Sequence, residues 1–340
     1  MSAALLPDAV LGGGDSARSL PVVDHYAGTA EKIDKALILQ EEMSKSTGLE
    51  GGGALFDVTC DCEDGAGIGA EEAQVKMCVA RVLSEKNHFG RVGARIHDAE
   101  HPCWQMEMEI LVREAGERLA FLTLPKARSA EAAARQIEAL RGFEARYHVA
   151  RPIPAHVLIE TQGALRDVWK IAALVGVESL DFGLMDFVSD YHGAIPGNAM
   201  QSPGQFRHPL VVRAKCEVSA AAHAYGRVPA HNVSAELRDG SIIAEDARRA
   251  RREFGFLRMW SVHPRQIRPI LEAMRPDVSE IQAASEILLA AQAADWEPTR
   301  YRDCLHDRAS YRYYWNLLLR ARQAGAALPE EAVARLWGKC

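Results

Sequence analysis

The chain has 340 residues, with 40 Lys and Arg against 46 Asp and Glu and a net charge of −6. It is 48 % hydrophobic and 25 % charged, close to the globular average, which excludes collagen-like, disordered and coiled-coil readings for its bulk. Aromatic residues are only 7 % and no basic field stands out, so nucleic acid is not an expected partner.

The length suits one large α/β barrel of about 250 residues with an appended tail as well as two domains. No apolar run approaches the roughly 18 residues of a membrane helix. Met1 to Arg18 lack the basic start and apolar stretch of a signal peptide. Cysteines fall at 60, 62, 78, 103, 216, 304 and 340, an odd and scattered set that suggests reduced thiols and a cytoplasmic protein without membrane contact.

Residues 1–17, with Gly12-Gly13-Gly14-Asp15, read as a flexible lead-in. After them, short runs rich in β-branched residues alternate with amphipathic stretches. The predicted strands are Ser19–Val23, Ala54–Cys60, Val92–Ile96, Leu119–Leu124, His156–Ile159, Ser179–Gly183, Arg227–Ala230 and Leu257–Val262. Helices are predicted at Thr29–Met43, Ala70–Leu83, Pro102–Glu114, Ala130–Tyr147, Leu165–Val175, Pro209–Tyr225 and Ala244–Phe254. About eight β/α units imply a closed, modified TIM barrel over 18–275. An open doubly wound sheet is the alternative, but it normally carries a Gly-rich turn after its first strand; here Asp24-His25-Tyr26 follow. Past Pro264 only helical patterns continue, at Pro264–Met274, Val278–Ala294 and Arg300–Ala324, so 276–340 form a helical extension. Its Tyr311, Tyr313, Tyr314 and Trp315 suit either internal packing or an oligomer contact or lid.

Function in such barrels collects at the C-terminal ends of strands. Asp61-Cys62-Glu63-Asp64 follow the second strand and lead into Gly65-Ala66-Gly67, where glycine permits close approach to a ligand. Carboxylates so crowded call for a cation or water between them. Glu160 and Asp186 end neighbouring strands, one βα unit apart. Two carboxylates with water suit Mg²⁺, or Mn²⁺; no His or Cys beside them supports zinc. Arg95 ends the third strand and suits a substrate carboxylate, with an internal ion pair to Asp64 or Glu160 as a compatible role. Lys126 suits an ordinary cationic contact better than a Schiff base. Cys60 and Cys62 suit buried thiols, and His263 before Pro264 a helix start.

The order of these motifs resembles the HpcH/HpaI aldolase and citrate lyase superfamily, on the side of the citrate lyase β-subunit-like and malyl-CoA lyase enzymes. The resemblance rests on Arg18-Ser19, Asp61-Cys62-Glu63-Asp64, Lys76, Ala80-Arg81, Arg95, Leu124-Pro125-Lys126, Ile159-Glu160-Thr161, Phe182 to Asp186 and His263-Pro264-Arg265-Gln266. It covers roughly residues 18–275. It implies an oligomeric, Mg²⁺-using modified TIM barrel, with Glu160 and Asp186 as metal ligands. It also implies that Arg95 binds the substrate's carboxylate and oxo group and that Glu63 and Asp64 lie against metal-bound water. Gly183, Leu184 and Met185 are then expected to line the substrate, and Arg18 to contact CoA.

The expected activity is Mg²⁺-dependent carbon–carbon cleavage of a 3-hydroxyacyl-CoA such as citramalyl-, malyl- or citryl-CoA, giving an acyl-CoA and a 2-oxo acid. Asp64 or Glu63 is the candidate base. A carboxylate from a neighbouring subunit, Asp295, Asp303 or Asp307, is a further candidate, in a homo-oligomer for which a trimer or hexamer is favoured. The alternatives are a metal-dependent aldolase acting on free 4-hydroxy-2-oxo acids, for which Asp24-His25 would be the characteristic pair, and a non-catalytic barrel that binds an oxo acid.

Overall fold

Asp24, His25 and Tyr26 lie inside the first strand, β1 (Val23–Ala27), not beyond it as the sequence reading has it. The computed structural model describes residues 5–12, 20–45 and 53–338. Arg18, Ser19 and most of the predicted lead-in lie outside the described residues.

Seven more parallel strands follow: β2 (Phe56–Asp61), β3 (Val92–Arg95), β4 (Leu122–Leu124), β5 (Ala155–Ile159), β6 (Val177–Phe182), β7 (Val228–His231) and β8 (Arg258–Ser261). They pair in chain order, and β8 returns to β1, so the sheet is a closed eight-stranded barrel. Nearly every strand residue is buried, the signature of a parallel sheet covered on both faces. The crossovers are α2 (Ala30–Lys45), α3 (Glu71–Val82), α4 (Trp104–Ala115), α5 (Ala130–Arg146), α6 (Gln162–Arg166) with α7 (Val168–Ala173), α8 (Leu184–Ser189), α9 (Pro209–Ala224) and α10 (Gly240–Phe254). α11 (Pro264–Met274) ends the ring. The predicted helix over Leu165–Val175 is two short helices that meet at Asp167. Between α8 and α9 the long connection carries single 3₁₀ turns at Gly197–Met200 and Gly204–Phe206.

The barrel interior is polar as well as apolar. Arg258, fully buried on β8, reaches Asp24 Oδ2 at 2.9 Å and Asp57 Oδ2 at 2.6 Å. Asp57 also takes Arg91 Nε at 2.6 Å, and Thr59 donates to Asp24 Oδ1 at 2.7 Å. Buried carboxylates survive only when paired in this way. This network explains why β1 was misplaced: its polar residues pair with β8, far away in the chain. Higher in the barrel Tyr26 and Trp260 stack at 4.9 Å between ring centroids.

The described residues form two compact units. The barrel unit comprises 20–45 and 54–274. The second comprises 5–12, 53 and 275–338, with α1 (Pro7–Leu11), α12 (Val278–Ala293), α13 (Arg308–Gln323) and α14 (Glu330–Leu336). It has its own core of Ile281, Leu288, Trp296, Tyr311, Trp315 and Leu318. Tyr311 and Trp315 are thus packed internally, whereas Tyr313 is 60 % exposed. One expectation fails here. A short antiparallel hairpin, β9 (Thr299–Tyr301) and β10 (Cys304–His306), precedes α13 where a continuous helix was predicted. Arg302 and Asp303 turn it with φ of 44° and 65°, the double positive φ of a tight hairpin. Asp307 then caps α13 by accepting from Ala309 and Ser310.

Candidate active site

Asp61 and Arg95 are register partners on β2 and β3, each the last residue of its strand. Parallel pairing therefore places their side chains together at the C-terminal end of the barrel. Arg95 Nε donates to Asp61 Oδ1 at 2.8 Å and Nη2 to Oδ2 at 2.6 Å. This two-pronged fork fixes the guanidinium plane. The remaining Nη1 lies 2.8 Å from Glu63 Oε2 and 3.9 Å from Asp64 Oδ2. The guanidinium also lies 5.3 Å from the Tyr26 ring centroid. Burial opposes the Arg95 charge, but Asp61 and Glu63 hold its pKa well above the ordinary value. Of the partners expected from sequence, Asp64 pairs with Arg95 at 3.9 Å and Glu160 does not, and the closer partners are Asp61 and Glu63. The strand-end position of both residues was the signal available for Asp61.

Glycines let this corner close. The backbone N–H groups of Glu63 and Gly65 donate to Asp61 at 3.1 and 2.9 Å. A Cβ on Gly65 would come within 2.4 Å of Asp61 Oδ2, and one on Gly28 within 1.9 Å of the Gly65 carbonyl oxygen. Gln74 of α3 ties the two segments by donating to the carbonyls of Gly28 and Asp61.

The opposite wall is built from β4, β5 and β6. After β4, Leu124-Pro125 deliver Lys126 with φ of 47°, a left-handed conformation uncommon for a residue with a side chain. Its backbone N–H donates to Glu160 Oε1 at 2.7 Å. Its Nζ lies 2.8 Å from Glu63 Oε1, 3.1 Å from Asp64 Oδ1 and 3.8 Å from Asp186 Oδ1. Glu160 follows β5 and is buried; Asp186 sits in the first turn of α8 and is partly exposed. A Cβ on Gly183 would fall 2.1 Å from Glu160 Oε2, so a glycine is required there. Leu184 is buried and Met185 is 36 % exposed.

Five carboxyl groups thus meet two cations. Burial, reinforced by Asp186 and Glu63, pushes the Glu160 pKa up to about 8. Burial also raises Glu63, despite Arg95 and Lys126. Surplus acid with oxygen donors alone is the donor set of a hard divalent cation. Glu160 and Asp186 therefore fit a Mg²⁺ ion.

The described residues also bring Asp24, His156 and Asp181 within 4.8 Å of one another in the barrel interior. Arg258 already supplies a cation to Asp24 there. Burial raises the carboxyl pKa values of Asp24 and Asp181.

Other candidates fall elsewhere. His25 is buried and shares a 2.8 Å hydrogen bond with Ser261; burial, then His263, lower its pKa to about 4. Asp24-His25 thus lie within the barrel wall and interior, away from the carboxylate cluster. Lys76 and Arg81 pair on the barrel's helices with Glu72 and Asp34. Cys60, Cys62 and Cys78 are buried free thiols. In the second unit Asp303 pairs with Arg300 at 2.7 Å, and Asp307 is the cap of α13.

This is a TIM-type barrel whose strand ends carry a clustered acidic site, and it is a lyase. The chain belongs to the HpcH/HpaI aldolase and citrate lyase superfamily, among its citrate lyase β-like members. It is 50 % identical to a citrate lyase of known crystal structure from Burkholderia xenovorans LB400, covering 98 % of this chain and 99 % of that one with a TM-score of 0.84. It is 25 % identical over 255 residues to L-malyl-CoA/β-methylmalyl-CoA lyase of Cereibacter sphaeroides, covering 70 % of this chain and 77 % of that one. The fold is shared with CitE of Mycobacterium tuberculosis in complex with magnesium, acetoacetate and coenzyme A, at 20 % identity and a TM-score of 0.66 over 89 % of this chain and 99 % of that one. No family model matches the chain. Among the described residues no helix is long and apolar enough to cross a membrane.

Proposed function

We propose that the protein cleaves a carbon–carbon bond of a 3-hydroxyacyl-CoA such as malyl-, citramalyl- or citryl-CoA, giving an acyl-CoA and a 2-oxo acid, with Mg²⁺ as cofactor. The observation that carries this reading is the strand-end cluster in which Lys126 joins Glu160, Asp186, Glu63 and Asp64 beside the fixed Arg95. The names of its relatives, a malyl-CoA lyase and a CitE bound to magnesium, acetoacetate and coenzyme A, support the substrate class.

Glu160 and Asp186 would hold the metal, which supplies Lewis acidity to the hydroxyl and carboxylate of the oxo-acid half. Arg95, held by Asp61, neutralises charge on that same half. Glu63 or Asp64 takes the hydroxyl proton. Electrons of the O–H bond become the new carbonyl, the carbon–carbon bond breaks, and its pair passes to the thioester enolate, whose carbon then takes a proton from the carboxyl group that accepted the hydroxyl proton. Gly183, Leu184 and Met185 border the oxo acid. The protein would act as a homo-oligomer, trimer or hexamer, with 276–340 as contact or lid. Exposed Val278, Leu305 and Tyr313 of that region support this.

The test is a coupled assay that compares CoA thioesters with free 4-hydroxy-2-oxo acids, using wild type and Glu160→Gln. Thioester cleavage that requires Mg²⁺ and is lost with Glu160→Gln is expected. Undiminished Mg²⁺-dependent cleavage by the variant overturns the metal assignment, and turnover of free acids alone overturns the substrate class.

A further inference from the structure

Lys126 makes two kinds of contact, from two different parts of the residue. Its peptide N–H holds Glu160 Oε1 at 2.7 Å. Its ammonium lies within 4 Å of three carboxylates from two separate segments: Glu63 and Asp64 after β2, and Asp186 on α8. Its backbone is left-handed, φ 47°, a conformation that persists where surrounding contacts over-determine it. An arginine is already present for Glu63, so a second cation is not needed to satisfy that residue alone. The ammonium touches Asp186, one of the two carboxylates that fit a divalent ion, and through its own backbone it fixes the other.

We infer that Lys126 is a positioning residue that sets the affinity of the divalent metal: its backbone anchors Glu160, while its ammonium competes with the metal for Asp186, Glu63 and Asp64. This inference rests on the reading of Glu160 and Asp186 as the metal pair. Loading then requires the ammonium to withdraw from Asp186, and metal loss allows it to return. The side chain thus keeps the acidic cluster ordered and lessens its surplus negative charge between turnovers. It also keeps metal binding weaker than the carboxylates alone would make it.

The test is calorimetric titration of the full-length protein with Mg²⁺ at fixed pH and ionic strength, for wild type, Lys126→Met and Lys126→Arg, with Tm measured for each. Lys126→Met keeps the peptide N–H and removes one charge. It should bind Mg²⁺ about thirtyfold more tightly, the order expected when a unit charge some 4 Å from a divalent ion is removed in a water-like dielectric. Lys126→Arg restores the charge and should return the affinity towards wild type. Unchanged or weaker binding by Lys126→Met with an unchanged Tm overturns the inference. Binding by neither wild type nor Lys126→Met overturns the metal reading itself, and the inference with it. Equal binding by the two overturns the inference while the metal reading stands.

Discussion

Asp61 clamps Arg95 through two parallel hydrogen bonds, at 2.8 and 2.6 Å, between residues paired in register on β2 and β3. The arginine's third nitrogen is turned towards Glu63. Replacing Asp61 by Asn removes the charge and one acceptor while preserving shape. Arg95 should then lose its fixed plane, and kcat/KM should fall about 10–100-fold, the usual cost of losing a group that orients a functional residue. Arg95→Lys should fall at least as far, since an ammonium cannot reproduce the fork. Steady-state kinetics on the thioester check both.

Glu160 gives a pH dependence with a definite sign. Its pKa is raised in the fold to about 8, from 4.5. The native state therefore holds a proton that the unfolded chain releases. This contribution to stability is complete below pH 4.5 and is lost as pH rises through about 8. In the metal-free protein Glu160→Gln should flatten that decline between pH 5 and 8, measured by denaturant titration. Mg²⁺ binding at pH 7 should also release protons, and binding should strengthen as pH approaches 8. Calorimetry in buffers of different ionisation enthalpy reads the proton release directly.

Gly183→Ala should separate site from fold. The new methyl would lie 2.1 Å from Glu160 Oε2 and 2.5 Å from its Cβ, so Glu160 must move. Lyase activity and Mg²⁺ affinity should both collapse, while the far-ultraviolet circular dichroism stays that of the wild-type barrel.

In the second unit the Tyr311 hydroxyl lies 2.9 Å from the Glu297 carbonyl oxygen, 3.0 Å from that of His306 and 2.8 Å from Thr299 Oγ1, and its one proton serves one of these acceptors at a time. Trp315 Nε1 donates to Asp8 Oδ1 at 2.8 Å. Tyr311→Phe leaves these buried acceptors unmet and should cost about 1–3 kcal/mol. Limited proteolysis should then cut within 297–306 earlier than in wild type.

A buried lysine supplies a third measurable effect on stability. Lys215 is fully buried, 2.8 Å from both Gln205 Oε1 and His231 Nε2, with no carboxylate in contact. Burial lowers its pKa well below 10.5. The unfolded chain then binds the extra proton, so stability should rise as pH climbs towards 10.5. Lys215→Met should remove that rise in a denaturant series from pH 7 to 10.

The eight β/α units were legible because strand and helix periods are local properties, written within a few residues. The site was legible where a carboxylate or arginine ends an apolar run, as with Glu160, Asp186 and Arg95. What escaped depends on partners far away in the chain. β1 was placed four residues early because the pairing of Asp24 with Arg258, and of His25 with Ser261, has no local trace. The Asp61–Arg95 clamp needs the β2–β3 register, which periodicity does not supply. The β9–β10 hairpin was missed because Arg302-Asp303 adopt positive φ without the Asn-Gly signature that usually announces it. For Lys126 the sequence favoured an ordinary cationic contact, and the structure shows three; its backbone role towards Glu160 leaves no mark in residue type.

Every charged group in the cluster, from Asp61 to Asp186, ends or follows one of five consecutive strands, β2 to β6. The barrel's last two strands add none of them, yet they close the ring against β1. During synthesis the reactive arc is therefore complete before the wall that encloses it. Until β8 emerges and meets β1, Asp24 and Asp57 lack Arg258, and the half-barrel carries an excess of buried acid. Asp57 already has Arg91 from the segment before β3, so closing the ring delivers the last cation of its interior, the one that pairs Asp24.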